Sequence, residues 1–186
     1  PPVVPAQSTA TDPAEGLHLQ HWFLIRSRAE IALYEDDTEQ MTDLDAQLRP
    51  FLGPAFAHVE AVATETRYCL ARFAIRRGDP QAARKVMRPI ARMRQPYVRT
   101  FIRLIEAAVA ELEGRREVAR DKLVGALGDA DACKMAGVAA LARLRLAQLN
   151  GDALDDACAA LARCGVVDTE RFARVYATWP SSTASG

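Results

Sequence analysis

The residues with the clearest chemical potential lie between positions 83 and 103, ARKVMRPIARMRQPYVRTFIR. This stretch holds seven basic side chains and no acidic one, although the whole chain has 24 basic and 24 acidic residues. Guanidinium groups bind carboxylates and phosphates through paired N–H donors. The stretch could therefore bind phosphate groups, bind an acidic partner, or form the solvent-exposed side of a helix whose charge is balanced elsewhere in the molecule.

Helical periodicity divides these arginines into two groups, separated by a turn at Gln95-Pro96. The first group recurs every four residues and forms an outer basic row, opposite the apolar side of its own helix. Its members are Arg84, Arg88 and Arg92. Pro89 lies inside this helix and lacks a backbone N–H, so we predict a kink or an early end near Arg88.

The second group lies on the next helix, where a groove would form if the first helices of successive hairpins line one surface. Aromatic and basic side chains on that side are candidate anchors for a peptide. They are Arg67, Tyr97, Arg99 and Arg103. Packing between hairpins and a solvated face remain alternatives for them. Nucleic-acid or phosphate binding by the outer basic row is the alternative function, but zero net charge weighs against nucleic acid.

No catalytic, cofactor or metal-binding motif accompanies these residues. The chain has no glycine-rich nucleotide loop, no G-x-S-x-G and no H-E-x-x-H. His18 and His21 have a spacing that metal ligands can use, but His58 belongs to a different helix, so we predict no metal site. The four cysteines match no zinc or redox pattern and are expected to be buried thiols of a cytoplasmic protein, with a disulfide of an extracellular protein as the alternative. We expect no enzyme activity, no cofactor and no membrane span.

The elements that position these side chains are predicted to be helices throughout. Alanine and leucine are abundant, aromatic residues make up 6% of the 186, and the hydrophobic fraction of 49% suffices for one core. Longer and shorter amphipathic segments alternate, and the breaks between them fall at Asp36, Gly78, Gly114 and Gly151. This period of about 40 residues predicts stacked helical hairpins, as a short right-handed solenoid or a similarly built bundle.

Turn and cap residues predict where the helices begin and end. The first helix is predicted over residues 17–34, and the sixth over 115–127, closed by Gly128-Asp129. The candidate N-caps are Thr38, Asp79, Asp131, Asp152 and Asp168. Pro54 is predicted to open the third helix.

Three regions are predicted along the chain. Residues 1–15 are predicted to form a flexible linker rich in proline, alanine, serine and threonine. Residues 16–179 are predicted to form the helical repeat domain, and residues 180–186 a disordered tail. A chain that opens on such a linker without an initiator Met is expected to be part of a longer protein.

The second hairpin resembles a tetratricopeptide repeat. The matching positions are Leu70, Ala71, Ala74, Gly78, Asp79, Ala83 and Met87, and the third hairpin repeats part of the pattern with Ala107, Ala110, Gly114, Ala119, Leu123 and Ala126. There, Glu106 replaces the expected leucine. The resemblance implies about four antiparallel hairpins stacked as a solenoid, with a C-terminal capping helix and a concave groove.

A wider resemblance covers nearly the whole chain after residue 20. The stretches HWFLIRSRAEIALYEDD and RYCLARFAIRRGD, and a final helix with Asp168, Arg171 and Phe172, are similar to the C-terminal helical region of myxobacterial-type serine/threonine protein kinases. The resemblance implies a sensor or docking module of a larger bacterial signalling protein, which binds a protein, a peptide or a neighbouring domain. The chain itself has no H-R-D or D-F-G motif. A structural self-association domain is a further alternative, and the oligomeric state is left open.

Overall fold

The structure is a computed structural model that describes residues 18–56, 58–91, 93 and 95–180. In these ranges all regular secondary structure is helical, which confirms the predicted all-α class. The helices are α1 (Leu19–Glu35), α2 (Thr38–Leu48), α3 (Glu60–Arg76), α4 (Pro80–Met87), α5 (Pro96–Leu112), α6 (Arg116–Ala132), α7 (Ala136–Asn150), α8 (Asp155–Arg163) and α9 (Thr169–Tyr176). Two short 3-10 turns, Arg49–Leu52 and Pro54–Phe56, join α2 to α3. The predicted linker and nearly all of the predicted tail lie outside the described residues.

Consecutive helices pack as antiparallel pairs. The pairs are α1 with α2, α3 with α4, α5 with α6, and α7 with α8. Neighbouring pairs touch through α2 and α3, α3 and α5, α4 and α5, and α6 and α7. The last helix, α9, contacts α7 and α8 as a cap would, but it also packs against α1. The C-terminal helix therefore lies along the inner side of the pairs as well as at their end.

Local sequence signals place several helix termini. The carboxylate of Asp79 accepts a hydrogen bond from the backbone N–H of Ala82 at 2.8 Å, and that of Asp168 accepts one from Arg171 at 2.9 Å. These two predicted N-caps are confirmed. At α2 the cap is Asp37 and not Thr38, which is the first helical residue. Pro54 opens only a short 3-10 turn, and α3 begins later, at Glu60.

The prediction for the end of α6 is wrong. Gly128 and Asp129 lie inside the helix, which continues to Ala132, and Lys134 makes the turn with a φ of 57°. The apolar stripe of α6 continues past Gly128 to Ala130, so packing on the core outweighs a helix-propensity cost of about 1 kcal/mol for glycine. Asp131 is thus a helical residue, not an N-cap.

The predicted cap of α8 is also wrong. The residue before α8 is Leu154, and Asp152 instead accepts a hydrogen bond from the side-chain amide of Asn150 at 3.0 Å. Asn150 and Gly151 do end α7 as predicted, because Gly151 has a φ of 77°, which glycine adopts without steric strain.

The core is continuous across the pairs and depends on small residues. Alanines on the facing sides of α5 and α6 have no exposed surface, and they let the two helix axes come close. They are Ala107, Ala110, Ala119 and Ala126. The largest apolar cluster joins α5 to α9 and includes Leu123, Leu141 and Leu161. This packing fixes the helices whose other sides form the surfaces described next.

Candidate binding groove

The inner surface, where the sequence predicted a peptide groove, is occupied by the chain itself. We call residues 169–180 the C-terminal segment. Ala173, Val175, Ala177 and Thr178 are buried there, and Trp179 packs on two apolar clusters that together reach from α3 to α9. The segment contacts α1, α3 and α7, each of which is the first helix of its pair. It therefore covers the inner surface that these first helices form.

Four side chains of α3 and α7 donate hydrogen bonds to backbone carbonyl groups at the end of α9 and just after it. The donors and acceptors are Tyr68 Oη to Tyr176 O at 2.5 Å, Arg72 Nη1 to Val175 O, Arg76 Nη1 to Trp179 O at 2.9 Å, and Arg145 Nε to Ala177 O at 2.8 Å. The last carbonyls of a helix have no partner within the helix, and cations are favoured at that end of the helix dipole. The arginines therefore act as a C-terminal cap supplied from distant helices.

Two of these guanidinium groups are almost fully buried. Arg72 is 1% exposed and Arg145 is 2% exposed. Burial lowers the pKa of Arg145 to about 10. Its nearest carboxylate, that of Glu170, lies 3.8 Å away and is largely solvated, so the charge is compensated mainly by carbonyl dipoles. Arg76 differs, because it also forms a bidentate pair with Asp36.

The predicted inner anchors are not brought together in one groove. Arg67 donates from Nη1 to the carbonyl of Val86 at 3.2 Å and ties α3 to α4, and burial lowers its pKa. Arg99 and Arg103 both pair with Asp129 and tie α5 to α6. Tyr97, at the start of α5, is 44% exposed.

The Arg103 side chain also accounts for Gly125, a glycine in the middle of α6, because it occupies the space that a Cβ there would need. A Cβ at Gly125 would overlap the guanidinium and the Cδ of Arg103, whose side chain runs across this position. Gly125 thereby gives Arg103 access to Asp129, at 3.2 Å.

An open groove lies on the opposite side, between α4 and α6, with α5 as its base. It encloses about 620 Å³. Its floor is apolar and consists of Met87, Ile102, Ile105, Val109 and Val118. Its rim is basic and carries Arg84, Lys85, Arg88, Arg115 and Lys122, with Glu106 as the acidic lining residue. We call this feature the basic groove. Two members of the predicted outer basic row line it, and the third, Arg92, lies outside the described residues.

The basic groove exists because α4 is short. Pro89 has no N–H to donate to a carbonyl four residues earlier, and its ring clashes there, so α4 ends at Met87 as predicted. With eight residues against seventeen in α6, α4 covers only part of α5. Beyond that point the groove stays open between the two helices, and its base is formed by Ile102, Ile105 and Val109, which are 3–5% exposed.

The rim keeps an excess of positive charge. Arg84 and Arg115 share the carboxylate of Glu113, and Lys122 pairs with Glu106 at 2.6 Å. The hydrogen bond from Arg84 lowers the pKa of Glu113, which keeps that carboxyl ionised. Within the described part of the chain, Lys85 and Arg88 have no ion-pair partner. Both are therefore available to a ligand.

The sequence analysis identified these arginines and placed the candidate peptide groove on the inner surface, whereas the open groove of the described residues lies beside the outer basic row. Two features of the sequence point to a groove there. Pro89 predicted an early end for α4, and the apolar stripe of α5 was broader than one short neighbouring helix can cover.

No helix in the described ranges has the length and apolarity to cross a membrane. They also hold no group of three or more histidine, cysteine, aspartate and glutamate side chains with the geometry of a metal site.

Comparison of the chain with protein-family models, with curated proteins and with solved structures gives no match. The resemblances to tetratricopeptide repeats and to kinase-associated helical regions therefore stay predictions from the sequence.

Proposed function

We propose that this chain is a non-catalytic protein-interaction or regulatory module that binds a peptide segment in the basic groove. The segment belongs to a partner protein or to a neighbouring domain of a longer parent chain. The antiparallel helix pairs serve as a short tetratricopeptide-like solenoid in this proposal. The single observation that supports it most is an open groove of about 620 Å³ whose base is apolar and whose rim is predominantly positive.

The chemistry of the groove favours an acidic, amphipathic segment. Apolar side chains of the ligand would cover Ile102, Ile105 and Val109, and its carboxylates would meet Lys85 and Arg88 on the rim. An amphipathic helix laid in a groove uses this division of roles, with apolar contacts for affinity and charges for orientation. A groove of this size accommodates a few side chains, which suits a short linear segment better than a folded surface.

The test uses two short synthetic peptides with leucines at helical spacing, one with glutamate at the remaining positions and one with lysine. Fluorescence anisotropy measures their binding to the full chain. We expect the glutamate peptide to bind and the lysine peptide not to bind. The double variant Lys85→Glu/Arg88→Glu should raise the Kd for the glutamate peptide by at least about tenfold, because like charges would then face each other.

A matched control separates local contacts from overall charge. Lys134→Glu and Arg163→Glu together change the net charge by the same amount at exposed positions, one just after α6 and one on α8. They should leave the Kd nearly unchanged. Equal loss of binding in both double variants would refute a defined site. Stronger binding of a single-stranded oligonucleotide than of the glutamate peptide would instead favour the nucleic-acid alternative.

The resemblance to kinase-associated helical regions supports a place for this module in a larger bacterial signalling protein, with a serine/threonine kinase as the expected catalytic domain. The reading frame of the parent gene tests this part separately. A kinase domain encoded upstream would support it, and an unrelated enzyme domain there would contradict it without affecting the peptide-binding proposal.

A further inference from the structure

The first helix carries an unusual amount of exposed apolar surface. Of the ten large apolar side chains that are exposed among the described residues, five lie on α1. They are Leu19, Phe23, Leu24, Ile31 and Tyr34, each between 37% and 53% exposed. The opposite side of α1 is buried in the core through Trp22, Ala29 and Leu33. A helix that is apolar on both sides is typical of one that is covered on both sides.

Four of these residues, Phe23, Leu24, Ile31 and Tyr34, lie on one continuous face. With 3.6 residues per turn, Phe23, Tyr34, Ser27, Gln20, Ile31 and Leu24 fall within an arc of about 100°, and none of them is charged. We call this arc the α1 outer face. The hydroxyl of Ser27 donates to the carbonyl of Phe23 at 2.9 Å, so its hydrogen bond is already made and Ser27 can be covered at little cost. Uncharged helix faces of this kind mark interaction surfaces.

The order of residues along the face is self-complementary. Ser27 is central, with a large apolar residue four positions away on each side, Phe23 and Ile31. Seven positions away stand Gln20 and Tyr34, an amide and a hydroxyl that can hydrogen-bond each other. In two antiparallel copies of such a helix, a two-fold axis at Ser27 pairs Phe23 with Ile31 and Gln20 with Tyr34, as a symmetric dimer requires, and Leu24 falls beside Glu30 of the other copy.

From this pattern we infer that the α1 outer face binds a second copy of the chain, with the two α1 helices antiparallel and crossing at Ser27. The small side chain at the crossing lets the helices approach closely. Phe23 of each copy then packs against Ile31 of the other, and Tyr34 lies beside Gln20. This interface is independent of the basic groove.

The other candidate to cover this face is the chain's own residues 1–17. Their sequence offers three large apolar side chains, Val3, Val4 and Leu17, against the four on the α1 outer face. A second copy supplies four for four. The apolar content of the two candidates therefore favours the dimer.

Sedimentation velocity of the full chain over a range of concentrations tests the inference. The expected result is a monomer–dimer equilibrium whose Kd rises on the order of 100-fold in Ile31→Glu, because a charge would be placed in an apolar contact without a partner. The matched control is Val124→Glu, a substitution on α6 at a side chain of nearly equal exposure, 56% against 53%. It should leave the Kd unchanged.

A cross-link tests the geometry. In a Cys164→Ser background, which removes the exposed native thiol, Ser27→Cys should form a disulfide-linked dimer on mild oxidation. The control is Gln47→Cys, at an exposed position of α2 away from the proposed axis, which should not form one. A chain that stays monomeric at all concentrations would overturn the inference. So would a dimer that Ile31→Glu does not weaken, a dimer without the Ser27→Cys cross-link, or a dimer that forms only after residues 1–17 are removed.

Discussion

The hydrogen bond from Tyr68 to the end of α9 gives a sharp test of how the inner surface is closed. Tyr68→Phe removes one hydroxyl and keeps the ring, which packs against Phe101 and beneath the guanidinium of Arg72. The carbonyl of Tyr176 then loses its donor at a site where Tyr68 is only 3% exposed. No other contact of the ring has to change.

The expected cost follows from that lost bond. A buried hydrogen bond contributes about 1 kcal/mol, and a carbonyl left without a donor costs about 1–3 kcal/mol, so Tyr68→Phe should lower the free energy of unfolding by about 1–2 kcal/mol. For a chain of this length that corresponds to a fall in Tm of roughly 2–8 °C. Amide hydrogens of the C-terminal segment should exchange roughly 5- to 30-fold faster if the segment opens locally.

Urea denaturation and hydrogen exchange by mass spectrometry measure these two effects. Tyr97→Phe is the matched control, because that side chain is exposed, and its change in unfolding free energy should stay within about 0.5 kcal/mol. A loss of unfolding free energy in Tyr68→Phe no larger than that in Tyr97→Phe would contradict the proposed role of the hydroxyl. A fall in stability with exchange in residues 169–179 as slow as in the unmodified chain would contradict it too.

The same variant has a distinct pH dependence. Burial raises the pKa of the Tyr68 hydroxyl above its ordinary value of 10.0. Because the folded-state pKa is the higher one, the stabilising contribution is complete below about pH 10 and is lost as the pH rises beyond it. The unmodified chain should therefore lose stability above about pH 10 by up to about 1.4 kcal/mol more per pH unit than Tyr68→Phe does.

Three further predictions test other parts of the structure. Gly128→Ala should raise the unfolding free energy by about 0.5–1 kcal/mol in urea denaturation, since the site is helical with open space around it, whereas a turn at this position would give a loss. Burial raises the pKa of Cys69 to about 11 from 9.0, so the contribution of its neutral thiol to folding stability is complete below pH 9 and is lost between about pH 9 and 11. In the native state a thiol reagent should label the exposed Cys164 but not the buried Cys69. Pro89→Ala should lengthen α4, which circular dichroism would report as added helix. The longer helix should cover part of the groove and weaken binding of the glutamate peptide. Unchanged helix content would contradict the assigned role of Pro89.

Helix starts and stops were predictable where a local interaction decides them. Asp79 followed by Pro80 combines a side-chain acceptor with a preset φ, and Gly78 supplies the left-handed turn before it. Such signals depend only on neighbours in sequence. At Gly128 and Asp131 the local sequence pattern predicted a helix end and a new N-cap just as clearly, but the helix continues through both. Its apolar stripe extends past them and is stabilised by long-range contacts with α5 and α7.

The closure of the inner surface could not be predicted from local patterns. The bonds from Arg72 and Arg76 to the C-terminal segment join residues 103 positions apart, and α9 taken alone has the pattern of an ordinary capping helix. One signal was available in the sequence. Arg72 stands between Ala71 and Phe73 on a helix that is buried on most sides, and a charged residue at such a position needs a partner.

The proposed function rests on one division of the molecule, an inner surface closed by the chain itself and an open basic groove outside. Backbone amide chemical shifts of the isotope-labelled full chain, recorded during titration with the glutamate peptide, test it most directly. We predict shift changes along residues 84–88, at the end of α4, and along residues 115–122, at the start of α6, with residues 172–179 unchanged. Shift changes centred on residues 172–179 and on α3, with none in the groove, would contradict it.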